Sequence, residues 1–387
     1  MKTLPLRALA PLLLALGLAT AAHAQGVSDT EIKIGGSTAL TGPGALVGIA
    51  HDLGEKIATA EINAAGGING RKIVRVFEDD AYVPARTVTT VRKLLDVDHV
   101  LAITASSGTA STLAALPMME EQGVPALQTA APNTVMFSPM HKTLFVVGRA
   151  YGPGTTDFVK FLAARKPGAK FLAIVQDDDY GDDVQAGYEK AIADLKLTTV
   201  GVLRYKRGQK DFAAEVLKAK QLGATIVVSG GIIAENVTIA KEARRVGLEA
   251  EIAMLWSGRL PQTIDLMGEA GNGIIAADYV GDFDEGAGKA LFDKARTYLS
   301  ADELTKLNRY SLTGYVGARL LFDAIARCGR DVTRACVTAK LETTTNLDMN
   351  GLTSPISFTP TSRISDLKLR YTILDWSKKA WVPIAGQ

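Results

Sequence analysis

Residues 99–133 read HVLAITASSGTASTLAALPMMEEQGVPALQTAAPN. The apolar run Val100, Leu101 and Ile103 has the character of a buried strand. It stops in a small, hydroxyl-rich turn, Ser106-Ser107-Gly108-Thr109. A helical segment follows, with Leu113, Leu116 and Met119 or Glu120 at three- and four-residue spacing, and Gly123 ends it. A second short strand, Val124 to Leu127, runs into another small turn, Thr129-Ala130-Ala131-Pro132. The segment is a strand–helix–strand unit with two open mouths at the carboxyl ends of its strands, the place where parallel α/β sheets bind ligands. Amide N–H groups at the helix start, reinforced by the helix dipole, favour an anion there. The same residues also suit an ordinary strand-to-helix turn with a Ser or Thr cap, so the surrounding chain must decide.

Working outward, the same alternation repeats on both sides. Toward the N-terminus, Glu31 to Ser37 reads as a strand that empties into Thr38-Ala39-Leu40-Thr41-Gly42-Pro43-Gly44-Ala45. That turn lacks the lysine of a phosphate-binding P-loop and the spacing of a dinucleotide fingerprint. A long helix with Leu53, Ile57, Ala60 and Ile62 on one stripe ends at Asn63-Ala64-Ala65-Gly66-Gly67. The strand Arg71 to Phe77 leads to Glu78-Asp79-Asp80, read as caps for a helix near Pro84 rather than as a metal or acid–base pair. Toward the C-terminus, the strand Thr143 to Val147 is followed by a break, Arg149-Ala150-Tyr151-Gly152-Pro153-Gly154, read as a crossover between lobes, with a helix from about Thr155 to Ala164. Strands at Lys170–Gln176, Thr199–Tyr205, Thr225–Ser229, Glu251–Leu255 and Gly273–Asp278 alternate with helices, which predicts βαβ units and a parallel sheet. From Gly281 the chain turns helical, at about 287–299, 310–327 and 333–343, and it ends in a β-hairpin around Ser377-Lys378-Lys379.

The first 24 residues stand apart. Lys2 and Arg7 precede the apolar stretch Ala8 to Leu18, and Ala22-His23-Ala24 supplies small residues before a cut at Gln25. This is the pattern of a secretory signal peptide, too short for a membrane span. Without Lys2 and Arg7 the chain keeps 41 basic and 41 acidic residues, so neither nucleic acid nor a membrane surface is an expected partner. An apolar fraction of 47% fits a globular protein, and 387 residues suffice for two domains. Export would place the two cysteines, Cys328 and Cys336, in an oxidising compartment, where Gly329 and Asp331 between them suit a turn closed by a local disulfide. Two cysteines and four histidines show no metal-ligand spacing, and no cofactor is expected.

The ordered motifs Ile32-Lys33-Ile34-Gly35, Leu40-Thr41-Gly42-Pro43, Ile62 to Gly70 (INAAGGING), Asp79-Asp80, Gly123-Val124-Pro125, Asp179-Tyr180-Gly181, Tyr205 to Gly208 with Asp211-Phe212, and Lys241 to Gly247 (KEARRVG) span the exported chain. Together they resemble the periplasmic solute-binding proteins of ABC importers, of the leucine/isoleucine/valine-binding type. The resemblance implies an α/β fold of two Rossmann-like lobes with parallel central sheets and three crossings. Residues 27–148 and 279–355 would form the first lobe, and 149–278 with 356–387 the second. It implies a monomer in the periplasm that captures a small carboxylate in the cleft and delivers it to the permease subunits of the importer. Carried over residue by residue, Ser106, Ser107, Gly108 and Thr109, then Thr129, Ala130 and Ala131, would hold the carboxylate through hydroxyls and backbone N–H groups. Pro132 falls where a hydroxyl donor often sits. Tyr180 would face the cleft from the second lobe, with Val47, Tyr151 and Ile232 as further cleft residues.

Two family features are missing. Trp256-Ser257-Gly258 stands where an acidic partner for a ligand ammonium should be, and Ile232-Ile233 stands where an aromatic is expected. Glu235 could replace the acid only by turning inward, and at a helix start a carboxylate serves as a cap. An unpaired buried ammonium is costly. The ligand expected is therefore a small carboxylate with an apolar or aromatic body, and not necessarily an α-amino acid; Trp256 would supply a flat apolar wall for it, or else serve ordinary packing between the lobes. A serine hydrolase is disfavoured, because His51, His99 and His141 show no Ser/Asp constellation and no nucleophile elbow is present. A sensory ectodomain would need a membrane helix or an output domain, which leaves a free-standing sensor partner as the alternative to an importer component.

Overall fold

The computed structural model describes residues 25–106, 108–281, 283 and 286–384, with the backbone alone at Ala105 and Ser106. The signal-peptide segment and Ser107 lie outside the described residues. The first lobe opens with β1 (Glu31–Thr38), α1 (Ala45–Ala64), β2 (Lys72–Asp79), α2 (Pro84–Asp96), β3 (Ile103–Ser106), α3 (Thr109–Glu121), β4 (Ala126–Gln128) and β5 (Leu144–Gly148). The chain then crosses to α4 (Tyr151–Arg165), β6 (Lys170–Gln176), α5 (Asp179–Leu195), β7 (Thr198–Tyr205), α6 (Ala213–Gln221), β8 (Ile226–Gly230), α7 (Ala234–Arg245), β9 (Glu251–Met254), α8 (Pro261–Met267) and β10 (Ile275–Asp278). It returns as α9 (Gly286–Ala295), α10 (Ala301–Leu304), α11 (Arg309–Arg327), α12 (Arg334–Glu342) and β11 (Ile364–Asp366), and closes with β12 (Arg370–Asp375) and β13 (Ala380–Pro383).

Two sheets result, one of six strands in the order β11-β5-β4-β3-β1-β2 and one of seven in the order β13-β12-β10-β9-β8-β6-β7. Every pairing in the first is parallel. In the second, β6 to β10 are parallel, and the terminal hairpin β12–β13 adds two antiparallel strands. Helices cover both faces, which is why β6 reads KFLAIVQ and is buried along its length after Lys170. The α/β class and the two parallel-dominated sheets agree with the sequence.

Two expectations shift. Helix α4 begins at Tyr151, so Gly152, Pro153 and Gly154 occupy its first turn instead of a break. Proline is tolerated there because the first-turn N–H has no intrahelical partner to lose. The third crossing also moves. Strand β11 pairs with β5, Ile364 beside Val146, and so belongs to the first sheet. The chain crosses between Asp366 and Arg370, not near residue 355. Arg149 in the first crossing clasps Asp366 at the end of β11 and Asp157 on α4, tying two crossings together.

The first lobe is closed by α11 lying on α1. Gly54 and Gly314 allow the approach, since a Cβ on Gly54 would overlap the Ser311 carbonyl and one on Gly314 would overlap that of His51. Cys328 at the end of α11 and Cys336 on α12 are joined, with Cα atoms 6.1 Å apart. No helix among the described residues is long and apolar enough to cross a membrane. Gly54→Ala should overpack the α1–α11 contact and lower stability by about 1–3 kcal/mol, read as a lower urea midpoint at unchanged m-value.

Candidate functional site

Each sheet reverses direction of strand addition once: between β1 and β3 in the first, and between β6 and β8 in the second. The carboxyl ends of those four strands face one pocket. Its walls are Gly44 and Val47 after β1, Tyr82 after β2, Gly108 and Thr109 after β3, and Ala130 and Ala131 after β4. The second lobe adds Tyr151, Tyr180, Ile232 and Ser257, and Tyr310 comes from the first turn of α11. No charged side chain is among these lining residues. Free space in the pocket is about 30 Å³, room for one or two waters.

Several helices begin here, and their ends are not equivalent. Asp178 caps α5, accepting from the Tyr180 and Gly181 amides at 3.1 and 3.2 Å. Asn308 caps α11. Helix α4 is satisfied by the Tyr151 amide donating to the Pro132 carbonyl at 3.0 Å and the Gly154 amide donating to that of Ala150. Helix α3 has Gly108 at its cap position, a residue with no side chain to offer the first amides. The hydroxyl of Thr109 in its first turn is buried and has no hydrogen-bond partner among the described residues. A helix N-terminus with an unmatched buried hydroxyl is the arrangement that accepts an anion.

The tyrosines supply donors. Burial pushes the Tyr82 phenol up to about 12 and raises those of Tyr151, Tyr180 and Tyr310 as well, so all four stay protonated at neutral pH. Tyr180 donates to the Gly231 carbonyl at 3.3 Å, and Ser257 donates to the same oxygen at 2.9 Å. Tyr151 meets Tyr180 edge-on at 4.6 Å and stacks on Trp256 at 5.0 Å.

Behind this wall lies a buried charge cluster. Asp278 accepts from Arg309 Nε and Nη2 and from Arg259 Nη1, all at 2.9–3.1 Å. Arg309 sits over the rings of Tyr279 and Tyr310 at 4.7 and 4.8 Å. Burial by itself would raise the Asp278 carboxyl, but the two guanidinium charges and its hydrogen bonds outweigh it and hold the group below its ordinary value.

Of the residues expected from sequence, Val47, Thr109, Ala130, Ala131, Tyr151, Tyr180 and Ile232 come together around the pocket. The Ser106 side chain and Ser107 lie outside the described residues. Ala130 and Ala131 line the pocket, but their amides do not stand open: both donate to Gln128 Oε1 at 2.9 Å. Gln128 is buried and must pair its amide, and its Nε2 reaches Thr112 at 2.7 Å. Thr129 is likewise engaged, with its hydroxyl 2.8 Å from His51 Nε2, while His51 Nδ1 lies 3.3 Å from Glu55 on the same helix. Trp256 is not a cleft wall. It is fully buried behind Tyr151, where its ring packs against the position of Gly154. Glu235 is 5% exposed. Burial raises its carboxyl, only partly opposed by the amides at the start of α7 and the Arg207 charge, and it sits in the first turn of α7, where a carboxylate suits the helix dipole.

Sequence reasoning missed Tyr82, Ser257 and Tyr310 as lining residues. Ser257 stood in a turn already singled out, and Tyr310 follows the cap Asn308 by two residues. Tyr82 carries no periodic signal. It lies in a turn whose pair Asp79-Asp80 has the sequence character of helix caps. In the structure Asp79 Oδ1 accepts from the Leu40 and Ala81 amides, and Asp80 Oδ1 from the Tyr82 amide, each at 2.9 Å. The two carboxylates fix the β2–α2 turn against the β1–α1 turn, and the cap position before Pro84 is Val83, with no side-chain bond.

With this architecture established, the comparisons place it. The family described as periplasmic binding protein matches residues 31–372. The chain belongs to that family, whose members bind solutes and are not enzymes. Among its relatives, a Leu/Ile/Val-binding protein homolog 7 of Brucella abortus is 29% identical over 332 residues, 81% of each chain. A branched chain amino acid ABC transporter structure from Thermus thermophilus with bound valine superposes with a TM-score of 0.83 at 21% identity, covering 92% of this chain and 96% of that one. A solute binding protein of an ABC transporter from Rhodopseudomonas palustris, in complex with 3,4-dihydroxy benzoic acid, gives 0.79 at 19% identity, covering 90% and 94%. The two structural likenesses show a shared fold.

Two outcomes are expected. Gly108→Ala would set a Cβ 2.8 Å from the Tyr82 ring at a φ of 157°, and should weaken ligand binding at least tenfold by calorimetry, with some loss of melting temperature from the strain. The stability contributed by ionised Asp278 should be fully present above about pH 4, the unfolded carboxylate value, and be lost as pH falls below it toward the depressed folded value. Urea unfolding from pH 7 to pH 3 should show that acid limb, flattened in Asp278→Asn, which at pH 7 should itself lose about 3–5 kcal/mol.

Proposed function

We propose that this chain is the periplasmic capture component of an ABC importer, and that its ligand is a small organic carboxylate with an apolar or aromatic body. The observation that carries the ligand class is the pocket itself: an α3 N-terminus with Gly108 at its cap position and a Thr109 hydroxyl that has no partner among the described residues, amid protonated tyrosines, with no carboxylate on the lining. Such a site offers donors and a positive field to an anion, and no negative charge on its lining to pair with an ammonium. The tyrosine rings supply flat apolar walls. With about 30 Å³ free, entry requires the lobes to part about their crossings and close again. The N-terminal export pattern and the family's periplasmic location support cleavage near Gln25, and delivery to a membrane permease follows from the importer role.

A second reading has support from Glu235 and from the names of the relatives. Glu235 is buried within electrostatic range of pocket-lining Tyr82. If its carboxylate left the start of α7, it would pair with the ammonium of a branched-chain amino acid, the ligand class that the Brucella relative's name carries.

A thermal-shift screen of unfolded and refolded protein separates the two. Each branched-chain amino acid is paired with its 2-keto acid, alongside benzoate- and cinnamate-type acids. At 100 times its Kd a ligand adds about 2.7 kcal/mol, a clear shift. The organic-acid reading expects shifts with keto or aromatic acids and none with amino acids. A shift with leucine or valine that Glu235→Gln removes would establish the second reading instead.

A further inference from the structure

Tyr82 is held in an unusual place. Ala81 and Tyr82 both have positive φ, 50° and 64°, a region that residues with a side chain avoid. Consecutive residues in that region store strain, which folds tolerate mainly at functional sites. Here two carboxylates hold the turn, with Asp79 accepting from the Ala81 amide and Asp80 from the Tyr82 amide. The ring that results lines the pocket and is packed on both sides. Gly108 and Gly44 leave room for it within its own lobe. From the opposite lobe, the Arg207 guanidinium lies 4.4 Å from the ring centroid.

Arg207 follows β7 of the second sheet, and it is itself anchored. Its Nη2 pairs with Asp178, the carboxylate that caps α5 next to pocket-lining Tyr180. Its Nη1 lies 3.5 Å from the Tyr82 carbonyl oxygen. The side chain is 27% exposed, so the stack sits at the rim, partly shielded from water. Other contacts also span the lobes. Gln262 donates to the Thr305 and Leu307 carbonyls, and Ile232, Ile233 and Leu260 pack with Leu46 and Val47. Those contacts lie on the α1 and α11 side, and the Arg207–Tyr82 stack joins a charged side chain of one lobe to the pocket wall of the other.

We infer that Arg207 is a positioning residue for ligand capture: its stack on Tyr82 latches the two lobes and holds that pocket wall in the closed conformation, whatever the ligand. Parting the lobes would break the stack, leaving Arg207 on Asp178 and releasing one face of Tyr82. Ligand contact with Tyr82 and closure of the cleft are then coupled through one ring.

The test uses no ligand, so its failure leaves the proposed ligand class untouched. Spin labels on Ala85→Cys and Lys210→Cys, exposed positions beside the two partners, report the distance between lobes by pulsed electron resonance. The bridged Cys328 and Cys336 do not take the label. The unsubstituted latch should show a short-distance population. Arg207→Gln should lower the ratio of short to long distances about fivefold or more, in line with the strength of a cation–π pair at a partly shielded site. Arg207→Lys, which keeps the charge but not the planar face, should lower it as well. Tyr82→Phe, which keeps the ring, should match the parent, and Tyr82→Leu should behave like Arg207→Gln. A short population absent from the parent, or unchanged in Arg207→Gln and Tyr82→Leu, would overturn the latch.

Discussion

Everything in this molecule follows from the direction of its strands. Parallel strands joined by helical crossovers put every strand's carboxyl end, and every following helix's amino end, on the same edge of a sheet. Two such sheets turned edge to edge bring their positive helix ends to a common cleft. The reversals between β1 and β3 and between β6 and β8 splay the adjoining turns apart and leave the space that the pocket occupies. The backbone thus places a positive field at the cleft without a charged side chain on its lining.

Many of the polar groups around the cleft are engaged with one another. Gln128 occupies the Ala130 and Ala131 amides, Asp178 occupies the start of α5, and Asn308 that of α11. Asp79 and Asp80 bind two neighbouring turns into one piece. Among the described residues several buried polar atoms lack a partner, and the Thr109 hydroxyl is the one that belongs to a pocket-lining residue in the first turn of a helix. The aromatic series Tyr180, Tyr151, Trp256 and Tyr279 then connects the pocket wall to the Arg309–Asp278 cluster behind it. A rearranged pocket tyrosine would therefore press on a tightly packed charge cluster rather than on empty space.

Legibility in the sequence divided along the range of the forces involved. The β3–α3–β4 unit could be read from residues 99–133 because a buried strand must be apolar and a helix start favours small and hydroxyl-bearing residues, both local demands. The terminal hairpin was readable for the same reason. The role of Trp256 stayed open because burial and cleft lining call for the same residue type, and only its burial behind Tyr151 decides for packing. Strand β11 was missed as part of the first sheet because three residues carry no usable periodicity, and its place is set by pairing with β5 some 220 residues earlier. Tyr82 was invisible because its role depends on a guanidinium from the other lobe and on a backbone conformation that neighbouring carboxylates impose.

The sequence by itself determined the class of the fold, the alternation that makes both sheets parallel, and most residues at the mouths of the strands. These depend on local periodicity, turn chemistry and capping, which act over a few residues. The tertiary structure alone decided which of those mouths still has unpaired donors, which aromatic side chains face the cleft and which stand behind it, and how the chain's last strands divide between lobes. Each of those outcomes is a competition among groups distant in the chain for the same hydrogen bond or the same volume, and it is settled only when folding brings them together.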